Sequence, residues 1–386
     1  MSGAEVRVLA NPRAAARGEA YGAQRAAVLN AAGFAAAARE IVSWPGYAPT
    51  PLVVLPGRAA NLGLARLWYK DERGRFGLKS FKALGGAYAV RRVLERNPGV
   101  APQNITVTCA TDGNHGRSVA WGAQLFGCKC TIFVHETVSE GRRAAIARYG
   151  AEVVRVKGNY DDAVRHAAAS AARNGWFVVS DTSYEGYREV PTDVMHGYGV
   201  MASEIIAQLQ GAIPTHVFVQ AGVGALAAAM CASFWLRWAE KRPRFVIVEP
   251  TKADCFYQSI AAGRPVAVTG DLDTVMAGLA CGEVSELGWE ILKTGTDALV
   301  AIDDVWALEG VRAFARPVAG DTAIASGETG ATGLAALLAA QGEPAMLRTL
   351  ALDTSSRVLL LGSEGDTDPE IYARIVGRTA EEVLAA

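Results

Sequence analysis

Residues 105–116 read Ile105-Thr-Val-Thr-Cys-Ala-Thr-Asp-Gly-Asn-His-Gly116. A short apolar, β-branched run ends in a polar cluster flanked by glycine, and an alanine-containing segment then continues to Phe126. That order predicts a strand at 105–109, a turn, and a helix at 116–126. The unit recurs outward from this stretch. Strands are expected at 130–134, 152–156 and 176–180, with helices at 141–149 and 161–173 between them. Upstream, 67–70 reads as a strand. Lys82 opens a helix that stops before Asn97-Pro98-Gly99, and an alanine-rich segment at 13–42 reads as helix interrupted near Gly33. Downstream, helices at 195–209, 226–239 and 326–340 alternate with strands at 215–220, 245–248 and 357–361. Apolar runs of this length, separated by helices, predict parallel strands buried on both faces. The fold class is therefore α/β with two sheet layers. The short units of 100–190 suggest a compact domain, 89–194, inserted into a larger one made of 1–88 and 195–386.

Composition narrows the function classes. The 386 residues carry 38 Lys+Arg against 39 Asp+Glu, which gives no electrostatic case for nucleic acid or an anionic membrane as partner. The apolar stretch at 221–236 is Gly- and Ala-rich and is stopped by Arg237, too short and too weak to span a bilayer. The N-terminal residues lack a basic segment followed by an apolar run, so no signal peptide is expected. Six cysteines spread along the chain argue for a cytosolic, reduced protein. Neither the five histidines nor Cys128-x-Cys130 has metal-ligand spacing, and no metal site is expected.

Three loops carry the chemistry. His216-Val-Phe-Val-Gln220 leads into Ala-Gly222-Val-Gly224-Ala225 and then a helix, a geometry that wraps a phosphate in backbone N–H groups. The segment also fits a dinucleotide fingerprint, with Glu249 ending the next strand, so the phosphate carrier stays open on this evidence. Gly77-Leu-Lys-Ser-Phe-Lys82 places a lysine at a loop-to-helix junction, although lysine alone reads as a solvated charge. The loop at 110–116 lies at the carboxyl end of a strand, where open parallel sheets bind ligands. A capped helix start, with Asp112 or Asn114 as N-cap, would explain one polar residue there but not five in a row.

Taken in order, Ser80-Phe-Lys82, Gly113-Asn-His115 and the glycine loop at 222–225 resemble fold-type II pyridoxal-phosphate enzymes, the tryptophan synthase β-like family. The resemblance sharpens toward the diaminopropionate ammonia-lyases. It is carried by Phe81-Lys-Ala-Leu-Gly-Gly86, Ala110-Thr-Asp-Gly-Asn-His-Gly116, Asp181-Thr-Ser-Tyr-Glu-Gly-Tyr187, Gln220-Ala-Gly-Val-Gly-Ala225 and Glu364-Gly-Asp-Thr-Asp-Pro369. These segments span nearly the whole chain. The resemblance implies two α/β domains with the active site in the cleft between them, pyridoxal 5'-phosphate as cofactor and a homodimer.

It also implies residue roles. Lys82 would carry the cofactor, Asn114 would hydrogen-bond its phenolate oxygen, and the backbone of Gly222, Val223, Gly224 and Ala225 would hold its phosphate. Ser363 would meet the ring nitrogen. Thr111, Asp112, Gly113 and His115 would contact a small amino-acid substrate. Asp112 and Asp181 depart from the hydroxy-amino-acid dehydratases, which tend to carry serine at the first position; carboxylates suit a substrate with a second, cationic amine. The implied catalytic set is Lys82, Asp112 and Asp181, with Asp112 as the alternative base for a D substrate. The implied reaction is loss of ammonia from 2,3-diaminopropionate, giving pyruvate. Cys255 and Cys281 match positions where some members carry a disulfide; two buried thiols are the equal alternative. Competing readings are a β-eliminating dehydratase for another amino acid such as serine or threonine, a nicotinamide oxidoreductase using Glu249, and a binding module that has kept the fold without catalysis.

Overall fold

The computed structural model describes residues 4–111 and 113–385. Eleven strands form two sheets among these residues. The larger sheet holds β1 (Val6–Ala10), β2 (Leu52–Val54), β3 (Arg66–Asp71), β8 (His216–Gln220), β9 (Arg244–Pro250), β10 (Ala298–Ile302) and β11 (Arg357–Gly362), in the order β1-β10-β9-β8-β11-β3-β2. Its five central strands are parallel, and β1 and β2 close the two edges antiparallel. The smaller sheet is parallel throughout: β4 (Thr106–Ala110), β5 (Lys129–His135), β6 (Glu152–Val156) and β7 (Phe177–Val178), in the order β6-β5-β4-β7.

The continuous apolar runs have a simple cause. Along β8, Val217 and Val219 enter one core while Phe218 enters another; along β11, Leu359 and Leu361 face one way, Val358 and Leu360 the other. Successive side chains of a strand point to opposite faces, so a sheet covered by helices on both sides needs apolar residues at every position. Helices Lys82–Glu95, Glu189–Gln208 and Ala225–Trp238 contribute to the first core, and Asp304–Ala315 and Thr332–Ala340 to the second.

Several sequence expectations are corrected. The helix Ala31–Ile41 runs straight through Gly33; a Cβ there would lie 2.2 Å from Nε2 of His196, so the glycine serves close packing rather than a break. The strand expected at 176–180 keeps only two residues, because the Ser180 N–H is taken by the Tyr187 hydroxyl. The helix expected from 326 begins at Thr332, since Ser326 and Gly327 bond instead to Gly365 and Glu364. Strands β1, β2 and β10 were not anticipated.

A buried ionic cluster ties the edge of the large sheet to a long helix. Arg75 binds Glu72 and Glu204, Lys70 of β3 donates to Glu204 at 2.6 Å, and the Thr50 hydroxyl bonds Glu72 at 2.6 Å. Burial opposes the Arg75 charge, but Glu72 and Glu204 more than offset it and hold the guanidinium above its ordinary value.

Candidate active site

The site lies where the carboxyl ends of β4, β8 and β11 converge. On the large-sheet side, Ser80 forms an isolated bridge with Glu364, the Phe81 N–H donates to Ser363 O, and the Gly365 N–H donates to Lys79 O. These bonds fix the loop before helix Lys82–Glu95 against the end of β11. They set Lys82, the first helical residue, facing the smaller sheet.

There Lys82 Nζ pairs with Asp181, and both side chains keep only 20% and 14% exposure. Asp181 is held in place from both sides. The Tyr187 hydroxyl donates to Val178 O and accepts from the Ser180 N–H. Ser183 bonds Ser285 through both its N–H and its hydroxyl, and the Ser285 N–H in turn donates to Val223 O in the glycine loop. Burial disfavours both charges of the pair. Their mutual attraction wins, so the amine sits above its ordinary value and Asp181 well below the usual carboxylate range. His115 completes this corner: Nε2 lies 2.8 Å from Val179 O and carries the proton, while Nδ1 faces Asp181 at 4.0 Å. Burial lowers its affinity for a second proton despite the neighbouring carboxylate. The ring is therefore neutral.

The polar loop at 111–116 has a different anatomy from the one expected. Asn114 does not cap helix Asn114–Phe126; the Thr111 hydroxyl accepts from the N–H groups of Gly113 and Gly116, both at 3.0 Å. Asn114 is freed for other work. One N–H of its amide donates to Glu364, and its carbonyl accepts from Arg117 at 2.7 Å. The amide keeps one further donor. Asp112 lies outside the described residues.

The glycine loop closes the other side. Gly224 has φ +95°, and a Cβ there would lie 2.3 Å from Cζ of Phe256. Among the described residues no side chain caps helix Ala225–Trp238, so its first N–H groups face the cleft with the positive end of the helix dipole behind them. Gln220 donates to Leu361 O and to the Ser363 hydroxyl. Having accepted that bond, Ser363 retains its own proton to donate. Glu249, the acid that fitted a dinucleotide fingerprint, is committed elsewhere: both carboxylate oxygens accept backbone N–H bonds, from Phe256 and Tyr257, at 2.8 Å. Burial still pushes that carboxyl up to about 8. It is a helix-start cap, unavailable to a ribose.

The residues present fit pyridoxal phosphate. The uncapped helix start suits a phosphate, the Lys82 amine an aldehyde, the remaining Asn114 donor a phenolate oxygen, and the Ser363 hydroxyl a neutral pyridine nitrogen. Gln220 Oε1 and Thr329 Oγ1 are buried nearby without hydrogen-bond partners among the described residues.

Four further neighbours complete the site: Glu364 and Tyr198, to which sequence reasoning gives no role, and Glu328 and Thr329, which it reads first as a glycine-relaxed helix start. Glu364 accepts from Asn114 and from the Thr329 N–H. Burial, then the charge of Glu364, raises Glu328 to about 7. Thr329 and Tyr198 complete the set; the buried Tyr198 ring lies beneath Lys82, with Nζ 5.9 Å from its centroid. Glu364 stood inside a quoted motif, but only tertiary contact gives it a role. Cys255 and Cys281 flank Gly222 as thiols rather than as a disulfide.

Comparison with known proteins agrees with this geometry. The chain belongs to the pyridoxal-phosphate-dependent enzyme family, whose pattern matches residues 43–352. Among its relatives, the diaminopropionate ammonia-lyase of Escherichia coli (strain K12) is 41% identical over 349 residues, 86% of this chain and 88% of that protein. The crystal structure of the E. coli diaminopropionate ammonia-lyase with an aminoacrylate–pyridoxal phosphate azomethine intermediate superposes with a TM-score of 0.89 at 37% identity, covering 97% of each chain. The same enzyme with D-serine gives 0.87 at 36%, again over 97% of each chain.

Proposed function

We propose that this chain is a pyridoxal-phosphate-dependent lyase that removes ammonia from 2,3-diaminopropionate, giving pyruvate and a second ammonia. The observation that carries the reading is the Lys82–Asp181 pair facing the glycine loop, in a chain whose relatives include enzymes of that name. Lys82 would hold the cofactor, with Asn114, Ser363 and the backbone of Gly222, Val223, Gly224 and Ala225 as its other contacts. When bound, the cofactor supplies an electron sink that stabilises negative charge at the substrate Cα.

The chain's own groups do the rest. The Lys82 amine takes the α-proton of the L isomer; Asp112 is our candidate base for the D isomer. Asp181, already stabilised as a carboxylate, holds the β-amine as an ammonium, the form in which it leaves. Neutral His115, 4.0 Å away, brings no cation to compete with the substrate's ammonium for that carboxylate. Thr111, Gly113 and His115, at the start of helix Asn114–Phe126, would contact the substrate's carboxylate. Once ammonia has left and 2-aminoacrylate is released, water converts it to pyruvate and the second ammonia.

We assign 1–88 and 195–386 to a cofactor-binding domain and 89–194 to an inserted one, a division supported by the two sheets. A cytoplasmic homodimer completes the proposal. The thiol state of all six cysteines supports the compartment, and no helix among the described residues is long and apolar enough to cross a membrane. The D-serine complex of the relative favours one further reading, a dehydratase for hydroxy amino acids. Pyruvate release from diaminopropionate, serine, threonine and cysteine decides between them: diaminopropionate should be turned over with the highest kcat/KM, and preference for serine or threonine would replace the ammonia-lyase reading.

A further inference from the structure

At the end of the large sheet opposite the active site, the first residues of three adjacent parallel strands come together. His216 of β8 is in register with Arg244 of β9, and Val358, next after Arg357 of β11, with His216. These strand starts line a cavity of about 410 Å³ together with Arg17, Lys241 and Arg242. Five permanent cations therefore share one recess. The carboxylates behind it answer only part of that charge. Asp297 accepts from Arg17 at 2.9 Å and from Arg242 at 3.2 Å, and also takes the Phe245 N–H. Asp353 acts on His216 from the side and is itself committed to Ser355 and Ser356.

Arg244 makes no ion pair among the described residues, and its Nε is buried without a hydrogen-bond partner; so is Nε of Arg242. The Arg357 Nε donates to Ile213 O at 3.1 Å, which fixes that guanidinium at the rim. Neutral His216 adds no acceptor to the recess: Nε2 faces Leu350 O and Nδ1 bonds the Thr215 hydroxyl. A fold that gathers five cations in one recess, with no carboxylate paired to Arg244 among the described residues, meets a repulsive cost that an oxyanion removes. Guanidinium groups also match the geometry of phosphate oxygens, taking two at once.

We propose that this recess is a binding site for a small dianion of the phosphate class, inorganic phosphate or a phosphate monoester, separate from the cofactor's phosphate seat. Arg244 and Lys241 supply its principal charge-assisted hydrogen bonds, and Arg17, Arg242 and Arg357 fix its walls.

Isothermal titration of the holoenzyme tests it, with sodium phosphate in one arm and glycerol 3-phosphate in the other, ionic strength being held constant with chloride. In the holoenzyme the active-site seat is filled by the cofactor, so binding reports the second site. Saturable binding of one ion per chain is expected in at least one arm, and the tighter arm identifies the source. Lys241→Gln and Arg244→Gln should each weaken it by about tenfold or more while leaving pyruvate release unchanged. Absence of saturable binding in both arms, or equal affinity in the wild type and both variants, would overturn the assignment.

Discussion

Replacing Asp181 with asparagine keeps the side chain's volume and removes its charge. In the structure that charge opposes the effect of burial on Lys82 and is the only carboxylate paired with it among the described residues. Two losses are expected. Asp181 supports acid–base chemistry through Lys82, which takes the α-proton, and loss of that pairing lowers turnover by about 10²–10⁴-fold for any substrate. Removing a charge-assisted hydrogen bond to the β-ammonium costs about 1.5–3 kcal/mol more, and only for a substrate that carries that ammonium. At about 1.4 kcal/mol per factor of ten, the second loss is roughly 10- to 150-fold. Steady-state pyruvate release by wild type and Asp181→Asn, with diaminopropionate and with serine, separates the two. The variant's kcat/KM should fall roughly 10- to 150-fold further for diaminopropionate than for serine. Equal losses on both substrates would refute the ammonium-holding role, and near-wild-type turnover of diaminopropionate would refute the acid–base role as well.

Three further outcomes follow from the same geometry. Asp112→Asn should reduce turnover of D-diaminopropionate more than of the L isomer in a chiral kinetic assay; equal reductions would remove the proposed division of labour. Arg75→Met leaves buried Glu72 without a cation and Glu204 with Lys70 alone, so urea unfolding should register a loss of about 3–5 kcal/mol, and an unchanged midpoint would show that the cluster relaxes without it. His196 and His216 are lowered to about 4, first by burial and then, for His196, by Arg92. Their folded values lie below the unfolded value near 6.5, so the stability they contribute is complete above pH 6.5 and is lost as pH falls toward 4. Unfolding midpoints should drop over that window and drop less in His196→Gln; an identical pH slope would exclude His196 as a source.

Much of this architecture is legible in the sequence for one physical reason: parallel strands buried on both faces must be apolar at every position. Runs such as Lys129–His135 and His216–Gln220 therefore announce themselves. β1 and β2 are edge strands with partly exposed residues, and their patterns are correspondingly weak. β10, Ala298-Leu-Val-Ala-Ile302, is as apolar as β8, so its strand signal is present in the sequence although no strand is expected there. The site divides in a similar way. Lys82 and the glycine loop sit in local motifs. The Lys82–Asp181 pair, the Ser183–Ser285 tie and the Asn114–Glu364 bond link residues far apart in the chain, and only the packing of the two sheets brings them together. Glu249 shows the opposite case: a spacing that fits a nucleotide motif is explained by two backbone N–H groups of the next helix.

The central claim is that Lys82 is the residue bonded to the cofactor. Borohydride reduction of the purified protein, followed by proteolysis and mass spectrometry, reads this directly. A pyridoxyl label on the peptide containing Lys82, abolished in Lys82→Ala together with pyruvate release, is the expected result; a label on any other lysine, or none, would contradict it.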